Sequence, residues 1–178
     1  MTNLYKLIGI FIYGIVKNIN FRFFLPSFIS NKIENMRMLG LKMQGSVIGR
    51  NSFIRNGCFI AYPKNLIIGS NVTLGQKSNI FNYSQVLIGD QTEIGPNLYI
   101  QTQEHIWADP KLPIGKQGAI SEKIKIGAGV YIGANVSILK GVNIADNCIV
   151  AAGAVVVKST EKGYIYGGVP AKKIKKIN

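Results

Sequence analysis

Aliphatic residues return at intervals of six along most of the chain, and the series begins at Ile48. A helix repeats every 3.6 residues and a strand every two, so a period of six fits neither element alone. The aliphatic positions are Ile48, Ile54, Ile60, Ile68, Leu74, Ile80, Ile88, Ile94, Ile100, Ile126, Ile132, Ile138, Ile144, Val150 and Val156. Glycine often follows the aliphatic residue directly, and a small or β-branched residue often lies four places after that aliphatic residue. We interpret each hexad as a short extended segment and a tight turn in a repeat protein.

The spacing of the first repeats predicts the shape of one coil. Ile48, Ile68 and Ile88 are each 20 residues apart, which is three hexads plus two extra residues at one corner. Three segments would close a triangular coil whose strands pair with the next coil about 4.8 Å away. Glycine or asparagine at the corners would supply the unusual backbone angles. The prediction is an all-β, parallel β-helix over residues 45–178.

Residues 1–44 differ from this body and form a separate, apolar helical segment with a linker. The uncharged run at residues 7–16 is shorter than the roughly 20 residues that a spanning helix needs. No small-residue cleavage site follows it, so it is a poor signal peptide. After the apolar residues 21–25, Pro26 is expected to end the first helix, and a second short helix would end near Gly40. The first helix either packs on the body or another subunit, or it anchors residues 1–30 at a membrane surface.

Charge and cysteine content narrow the class of protein. The chain of 178 residues has a net charge of +13, which suits an anionic membrane or a phosphate-bearing ligand. Lysine dominates over arginine, and no basic stretch is interleaved with aromatic residues, so we expect no nucleic acid partner. Cys58 and Cys148 both occupy the small position of a hexad and are expected to be packing residues. A reducing cytoplasm is therefore acceptable.

The C-terminal half carries the most specific pattern. It contains IGAGVYIGAN at residues 126–135, ILKGV at 138–142, AGAVVVK at 152–158 and GGVPAK at 167–172. Over residues 45–176 the chain resembles the hexapeptide-repeat acyltransferases, in the branch of the maltose, galactoside and nodulation-factor acetyltransferases. The resemblance implies a left-handed coil and a homotrimer with active sites between neighbouring subunits. A short C-terminal helix is expected after the last coil.

The repeat is interrupted once, between Ile100 and Ile126, and we expect a loop there at residues 104–123. A long loop in a regular solenoid is a place to look for function. The only histidine of the chain, His105, lies at its root, where the resembled family carries its general base. Glu104 and Asp109 are rival partners for its imidazole. The acceptor is expected to contact the residues Asn82, Trp107 and Asp109.

In the resembled family, the pantetheine arm of coenzyme A follows the C-terminal coils. By position this implicates Gly133, Ala134, Ala151, Ala152, Lys158, Pro170 and Lys172 as the site for acetyl-CoA. The small residues among them are also what the coil itself requires. No metal is expected to be required, because the zinc-dependent carbonic anhydrases of this fold use three histidines and this chain has one.

These features predict an acetyl-CoA-dependent O-acetyltransferase that modifies a sugar hydroxyl in surface polysaccharide or lipopolysaccharide synthesis. We expect direct transfer, with His105 as general base and Glu104 beside it, on a cytoplasmic or peripheral inner-membrane enzyme. The acceptor would be a sugar or a lipid-linked saccharide. Two alternatives remain: an acetyltransferase for a small soluble amine or hydroxyl, such as an amino sugar or a drug, and a non-catalytic trimeric scaffold.

Overall fold

Two helices precede the repeats in the computed structural model, which describes residues 3–18 and 27–177. They are α1 (Asn3–Val16) and α2 (Ser27–Met43). The expectations for residues 21–25 and Pro26 lie outside the described residues. The first helix ends at Val16, earlier than predicted. Among the described residues, no helix combines the length and hydropathy needed to cross a membrane.

The second helix continues past Gly40 to Met43, so the prediction of an end near Gly40 is wrong. The glycine has a packing role instead. A β-carbon on Gly40 would lie 2.9 Å from the backbone nitrogen of Tyr13, and one on Gly9 would lie 2.6 Å from Cβ of Met43. Both distances are too short for real side chains, so these two glycines let the helices cross closely.

Three parallel sheets form the sides of the solenoid. The first consists of β1 (Val47–Ile48), β4 (Leu66–Ile68), β7 (Val86–Ile88), β12 (Ile124–Ile126) and β15 (Asn143–Ile144). The second consists of β2 (Phe53–Ile54), β5 (Thr73–Leu74), β8 (Glu93–Ile94), β13 (Tyr131–Ile132), β16 (Ile149–Val150), β18 (Tyr164–Gly167) and β19 (Lys172–Lys176). The third consists of β3 (Phe59–Ile60), β6 (Asn79–Phe81), β9 (Tyr99–Gln101), β14 (Ser137–Leu139) and β17 (Val155–Val156). Short 3₁₀ turns lie at Pro63–Asn65 and Ile114–Lys116.

The register confirms the six-residue interpretation. Ile48 pairs with Ile68, Ile68 with Ile88, and Ile88 with Ile126, so each aliphatic residue stacks on its counterpart one coil later. The other two sheets repeat this arrangement, and all fifteen aliphatic positions are buried. The core is therefore a continuous column of aliphatic side chains inside the coils.

The corners use the backbone conformations that the sequence predicted. Among described residues other than glycine, seven have a positive φ, and five of these are asparagines: Asn51, Asn71, Asn97, Asn135 and Asn147. Asparagine tolerates this left-handed conformation better than most residues. Each of these asparagines lies three places after the aliphatic residue of its hexad, where the chain turns into the next face.

The predicted C-terminal helix is wrong. Residues Lys172–Lys176 form β19, which pairs antiparallel with β18, and Gly167 lies opposite Lys172. The last strand of a solenoid exposes unpaired backbone N–H and C=O groups. The tail turns back at residues 168–171 and satisfies those groups with its own backbone, which a helix could not do. The division of the chain into segments 1–44 and 45–178 stays a prediction.

Candidate active site

A two-stranded arm leaves the solenoid where the repeat is interrupted. Its strands are β10 (Gln103–His105) and β11 (Ala119–Ser121), which pair antiparallel with His105 opposite Ala119. The N–H of Glu122 donates to the carbonyl oxygen of Thr102 at 2.9 Å and closes the base of the arm. The segment predicted as a loop at residues 104–123 is therefore a braced hairpin in large part.

The tip of the arm is held by side chain to backbone hydrogen bonds. Nε2 of Gln117 donates to the carbonyl oxygens of Asp109 and Leu112, both at 2.8 Å, and Oε1 of Gln117 accepts from the N–H of Asp109 at 2.9 Å. The Asp109 carboxylate accepts the N–H of Lys111 at 2.9 Å. Asp109 thus forms the turn, and we no longer count it as a partner of His105 or an acceptor contact.

An open pocket of about 280 Å³ lies against the arm. It is lined by Glu104, His105, Ile106, Trp107, Ala108, Ile120 and Lys140. His105 is exposed, and Trp107 has 61% of its surface accessible. The predicted pair of His105 and Trp107 is therefore brought together. Within the described residues, the imidazole has no hydrogen-bond partner in the chain.

Glu104 has a different partner from the one expected. Its carboxylate lies 3.0 Å from Nζ of Lys140, which is also 3.0 Å from the carboxylate of Glu122. The hydrogen bonds that Lys140 donates to Glu122 and then to Glu104 raise the pKa of Lys140 above its usual value. Glu104 and His105 both line the pocket, and the ion pair with Lys140 is the contact that the structure gives the Glu104 carboxylate. The role of Glu104 beside His105 stays a prediction.

Lys140 contributes a charge to the pocket and was not predicted from the sequence. Leu139, the residue before it, pairs with Gln101 in the third sheet, one coil beyond the start of the arm. Stacking the hexads coil on coil would have found this neighbour, because residues in register lie one above another. A pattern read along the chain alone does not connect positions that are 38 residues apart.

Asn82 lies inside the solenoid and does not line the pocket. It is fully buried, its Nδ2 donates to the carbonyl oxygen of Tyr62 at 2.7 Å, and its Oδ1 accepts the N–H of Tyr62 at 2.9 Å. The side chain thus joins two successive coils as a strand would. Both polar groups of Asn82 thus have partners within the fold, and the expected acceptor contact stays a prediction.

The residues predicted to hold coenzyme A lie on the last coils. Gly133 and Ala134 follow β13, and Ala151 and Ala152 follow β16, at the corner between the second and third sheets. A β-carbon on Gly133 would lie 2.5 Å from the backbone nitrogen of Ala152, so the close stacking of coils requires this glycine.

The C-terminal members of the predicted set lie close to one another. The N–H of Ala171 donates to the carbonyl oxygen of Val155 at 2.8 Å, so the return segment crosses from the second to the third sheet. This brings the segment of Pro170 and Lys172 beside β17, which ends two residues before Lys158. All three residues are exposed, and two of them are cationic. The predicted nucleotide end of the groove is therefore a basic surface.

The cysteines occupy the interior positions that were predicted for them. Cys58 and Cys148 are buried, and burial raises the pKa of the Cys58 thiol to about 11. A thiol with that pKa is protonated at neutral pH and is a poor nucleophile. Within residues 3–18 and 27–177, no group of three or more His, Cys, Asp or Glu side chains is arranged to hold a metal ion.

Comparison with known proteins identifies the family. Residues 123–158 match the family described as bacterial transferase hexapeptide (six repeats). The galactoside O-acetyltransferase of Escherichia coli is 31% identical over 83% of this chain and 71% of its own length. A candidate colanic acid biosynthesis acetyltransferase of the same organism, WcaF, is 29% identical over 74% of this chain and 69% of its own length.

A solved structure agrees with these matches. The galactoside acetyltransferase determined in complex with coenzyme A is 27% identical, with a TM-score of 0.79, and the match covers 98% of this chain and 82% of that one. The chain belongs to the hexapeptide-repeat acetyltransferases and is an acyltransferase. The predicted family and the left-handed parallel β-helix are confirmed.

Proposed function

We propose that this protein transfers an acetyl group from acetyl-CoA to a sugar hydroxyl, with His105 as general base. The observation that carries the proposal is the pocket on the arm, where the histidine meets Trp107 and a largely apolar wall. Aromatic faces suit the apolar sides of sugar rings, and the imidazole is exposed to an incoming hydroxyl. The galactoside O-acetyltransferase relative supports a sugar acceptor.

The reaction needs one proton transfer to the imidazole and one from it. The imidazole removes the hydroxyl proton while the oxygen attacks the thioester carbonyl carbon, which gives a tetrahedral oxyanion. The oxyanion collapses, the carbon–sulfur bond breaks, and the leaving thiolate takes the proton from the imidazolium. No acyl-enzyme is formed, and no metal is required. The product is an acetyl ester and free coenzyme A.

We propose that the protein assembles into a homotrimer, and the positions of the two half-sites support this. The arm with His105 starts where the third sheet turns into the first, whereas Gly133 and Ala151 lie where the second turns into the third. One whole face of the prism separates these corners within one chain. A second subunit can supply the other half, so we propose that each active site combines the arm of one chain with the small-residue corner of another.

The proposed donor site is the corner of Gly133, Ala134, Ala151 and Ala152, extended by the basic surface at Lys158, Pro170 and Lys172. The backbone there and the two lysines suit the phosphates of coenzyme A. The proposed acceptor belongs to surface polysaccharide or lipopolysaccharide synthesis, in keeping with the WcaF relative. We propose that the enzyme works in the cytoplasm at the inner face of the membrane, where lipid-linked saccharides are assembled.

The experiment is thiol release from acetyl-CoA with a panel of sugars and nucleotide sugars, comparing wild type with His105→Ala. Loss of a general base lowers turnover by about 10²-fold or more. Lys111→Ala is the matched control, because Lys111 is an exposed residue of the same arm that does not line the pocket. Melting temperature and coenzyme A binding are measured for each variant.

The result expected is a loss of turnover in His105→Ala alone, with coenzyme A binding unchanged. Equal turnover in wild type and His105→Ala would remove the histidine from the mechanism. A wild-type protein that binds no coenzyme A would favour the scaffold alternative. If only amino sugars were acetylated, and at the amine, the proposed reaction would be N-acetylation and not O-acetylation.

A further inference from the structure

The first helix has two apolar faces, and only one of them is covered. Gly9 and Val16 are buried, and Tyr13, between them, donates its hydroxyl to the carbonyl oxygen of Cys58 at 2.8 Å. The other face carries an exposed stripe at helical spacing: Leu4, Leu7, Ile8, Phe11 and Ile15. Leu4, Leu7 and Phe11 expose 67%, 61% and 68% of their surfaces. A contiguous apolar stripe of this kind is typical of a surface that binds something else.

The end of the molecule that carries this stripe is strongly cationic. The first 89 residues contain ten lysines and arginines and one acidic residue, Glu34. The Glu34 carboxylate is engaged by Arg55. The helices and first coils thus carry +9 of the net charge of +13, and the stripe on α1 needs an apolar environment. An anionic partner with an apolar interior complements both properties.

A small cavity of about 170 Å³ lies between α1 and the first coil, on a side of the helix that the five stripe residues do not line. Lys6 and Lys64 line it, together with Gln44, Tyr62 and Ile10. Two lysines at the mouth of a partly apolar cavity suit a phosphate group that carries an apolar chain. A protein partner would need carboxylates on a surface whose shape is complementary to this one. The pattern of residues on α1 does not require such a complementary shape.

We propose that α1 and this cavity form a docking surface for an anionic phospholipid bilayer. The helix would lie in the interface plane with the stripe in the acyl region and Lys6 and Lys64 at the phosphates. Stable attachment usually takes two signals, and this surface offers both an apolar face and a basic cluster.

The docking surface also bears on the acceptor, an extension that rests on the proposed function. Lys64 lies at the corner that follows β3, and the arm with His105 starts at the same corner two coils later. Coils are spaced by about 4.8 Å, so the arm starts about 10 Å above the cavity along the solenoid. An acceptor sugar attached to a lipid phosphate in that bilayer would reach this height with few saccharide units. The substrate class that fits is a lipid-phosphate-linked saccharide.

The test is co-sedimentation of the full chain with vesicles of phosphatidylcholine alone and with an equal mixture of phosphatidylcholine and phosphatidylglycerol, at low and high salt. We expect binding to the mixed vesicles, weaker binding at high salt and little binding to phosphatidylcholine alone. Leu7→Ser should lower the partition coefficient about tenfold, because a leucine side chain is withdrawn from the apolar phase. Ile174→Ser is the matched control, since Ile174 is also 61% exposed but lies on β19 at the opposite end of the solenoid.

The charge component is tested separately. Lys6→Gln and Lys64→Gln should each weaken binding to mixed vesicles about fivefold, in line with the contribution of one lysine near an anionic surface. Lys162→Gln, at the other end of the chain, should have no effect. The same variants should bind phosphatidylcholine as wild type does.

Two results would overturn the proposal. One is a wild-type protein that binds both vesicles equally poorly. The other is a change in oligomer mass by light scattering in Leu7→Ser, which would make the stripe a contact between subunits. Vesicle binding is measured without acetyl-CoA or sugar, so a failure of the proposed function would leave its result intact. Turnover of a soluble sugar by Leu7→Ser should equal that of wild type.

Discussion

Replacing Asn82 by alanine separates a structural role from a role in acceptor binding. The side chain makes two hydrogen bonds to the backbone of Tyr62, one as donor and one as acceptor. Each hydrogen bond contributes about 1 kcal/mol, and a buried group left unpaired costs about 1–3 kcal/mol. Both hydrogen bonds are only partly buried, so the lower end applies. We expect a loss of about 2–3 kcal/mol in the free energy of unfolding.

For a chain of this length, that loss corresponds to a fall of roughly 4–12 °C in melting temperature. The assay is scanning calorimetry, with KM for the best acceptor measured on the same samples. Asn79→Ala is the matched control, because Asn79 lies on the same coil and is exposed. We expect it to melt with wild type. An Asn82→Ala protein that melts like this control but has a much higher KM would refute the structural role.

Three further outcomes follow from the structure. Gly133→Ala should melt well below wild type, since its β-carbon would lie 2.5 Å from the backbone of Ala152. Gly115→Ala is the control and should melt within about 1 °C of wild type, because no atom lies near its β-carbon. Equal melting temperatures of the two variants would contradict the close stacking of coils at Gly133. The Glu104–Lys140–Glu122 contacts raise the pKa of Lys140, so their contribution is present at neutral pH and is lost as pH rises through that raised pKa. The difference in melting temperature between wild type and Lys140→Met should therefore be constant from about pH 6 to 9 and shrink above about 10.5; a difference that shrinks between pH 6 and 9 would assign it to another group. Cys58 and Cys148 should resist maleimide at neutral pH in the native protein and react in denaturant, and rapid native labelling would show that the coils open.

The fold could be predicted because one residue type carried a regular signal. Each coil must bury one aliphatic side chain per face, so the requirement repeats every six residues and survives substitution elsewhere. The asparagines at the corners were predictable for the same reason, because few other residues tolerate a positive φ. The tail was not predictable in this way. A lysine-rich segment with one isoleucine has no helical period, and its antiparallel pairing depends on the unpaired edge of β18.

The sequence predicted only those residues of the candidate site that are close to one another along the chain. His105 and Trp107 are two residues apart at an interruption of the repeat, and both line the pocket. Lys140 comes from the next coil, so its position depends on the stacking register. The burial of Asn82 and its two hydrogen bonds to Tyr62 were not predicted, because the neighbouring residue lies 20 positions away in the chain. The ion pair of Glu104 with Lys140 was not predicted for the same reason, because it joins residues of two successive coils.

The return strand at the C-terminus limits how far the molecule can extend. A β-helix is a one-dimensional stack, and in principle each open end can receive another coil from another chain. Helix α2 packs against β1 and β2 at one end, and β19 covers β18 at the other. The strand that remains at this edge carries Lys172, Lys173, Lys175 and Lys176, and repeated positive charge opposes the approach of an identical edge. A chain that ended at residue 167 would keep its core and the arm but lose the strand that covers β18. We expect such a chain to assemble end to end into fibres.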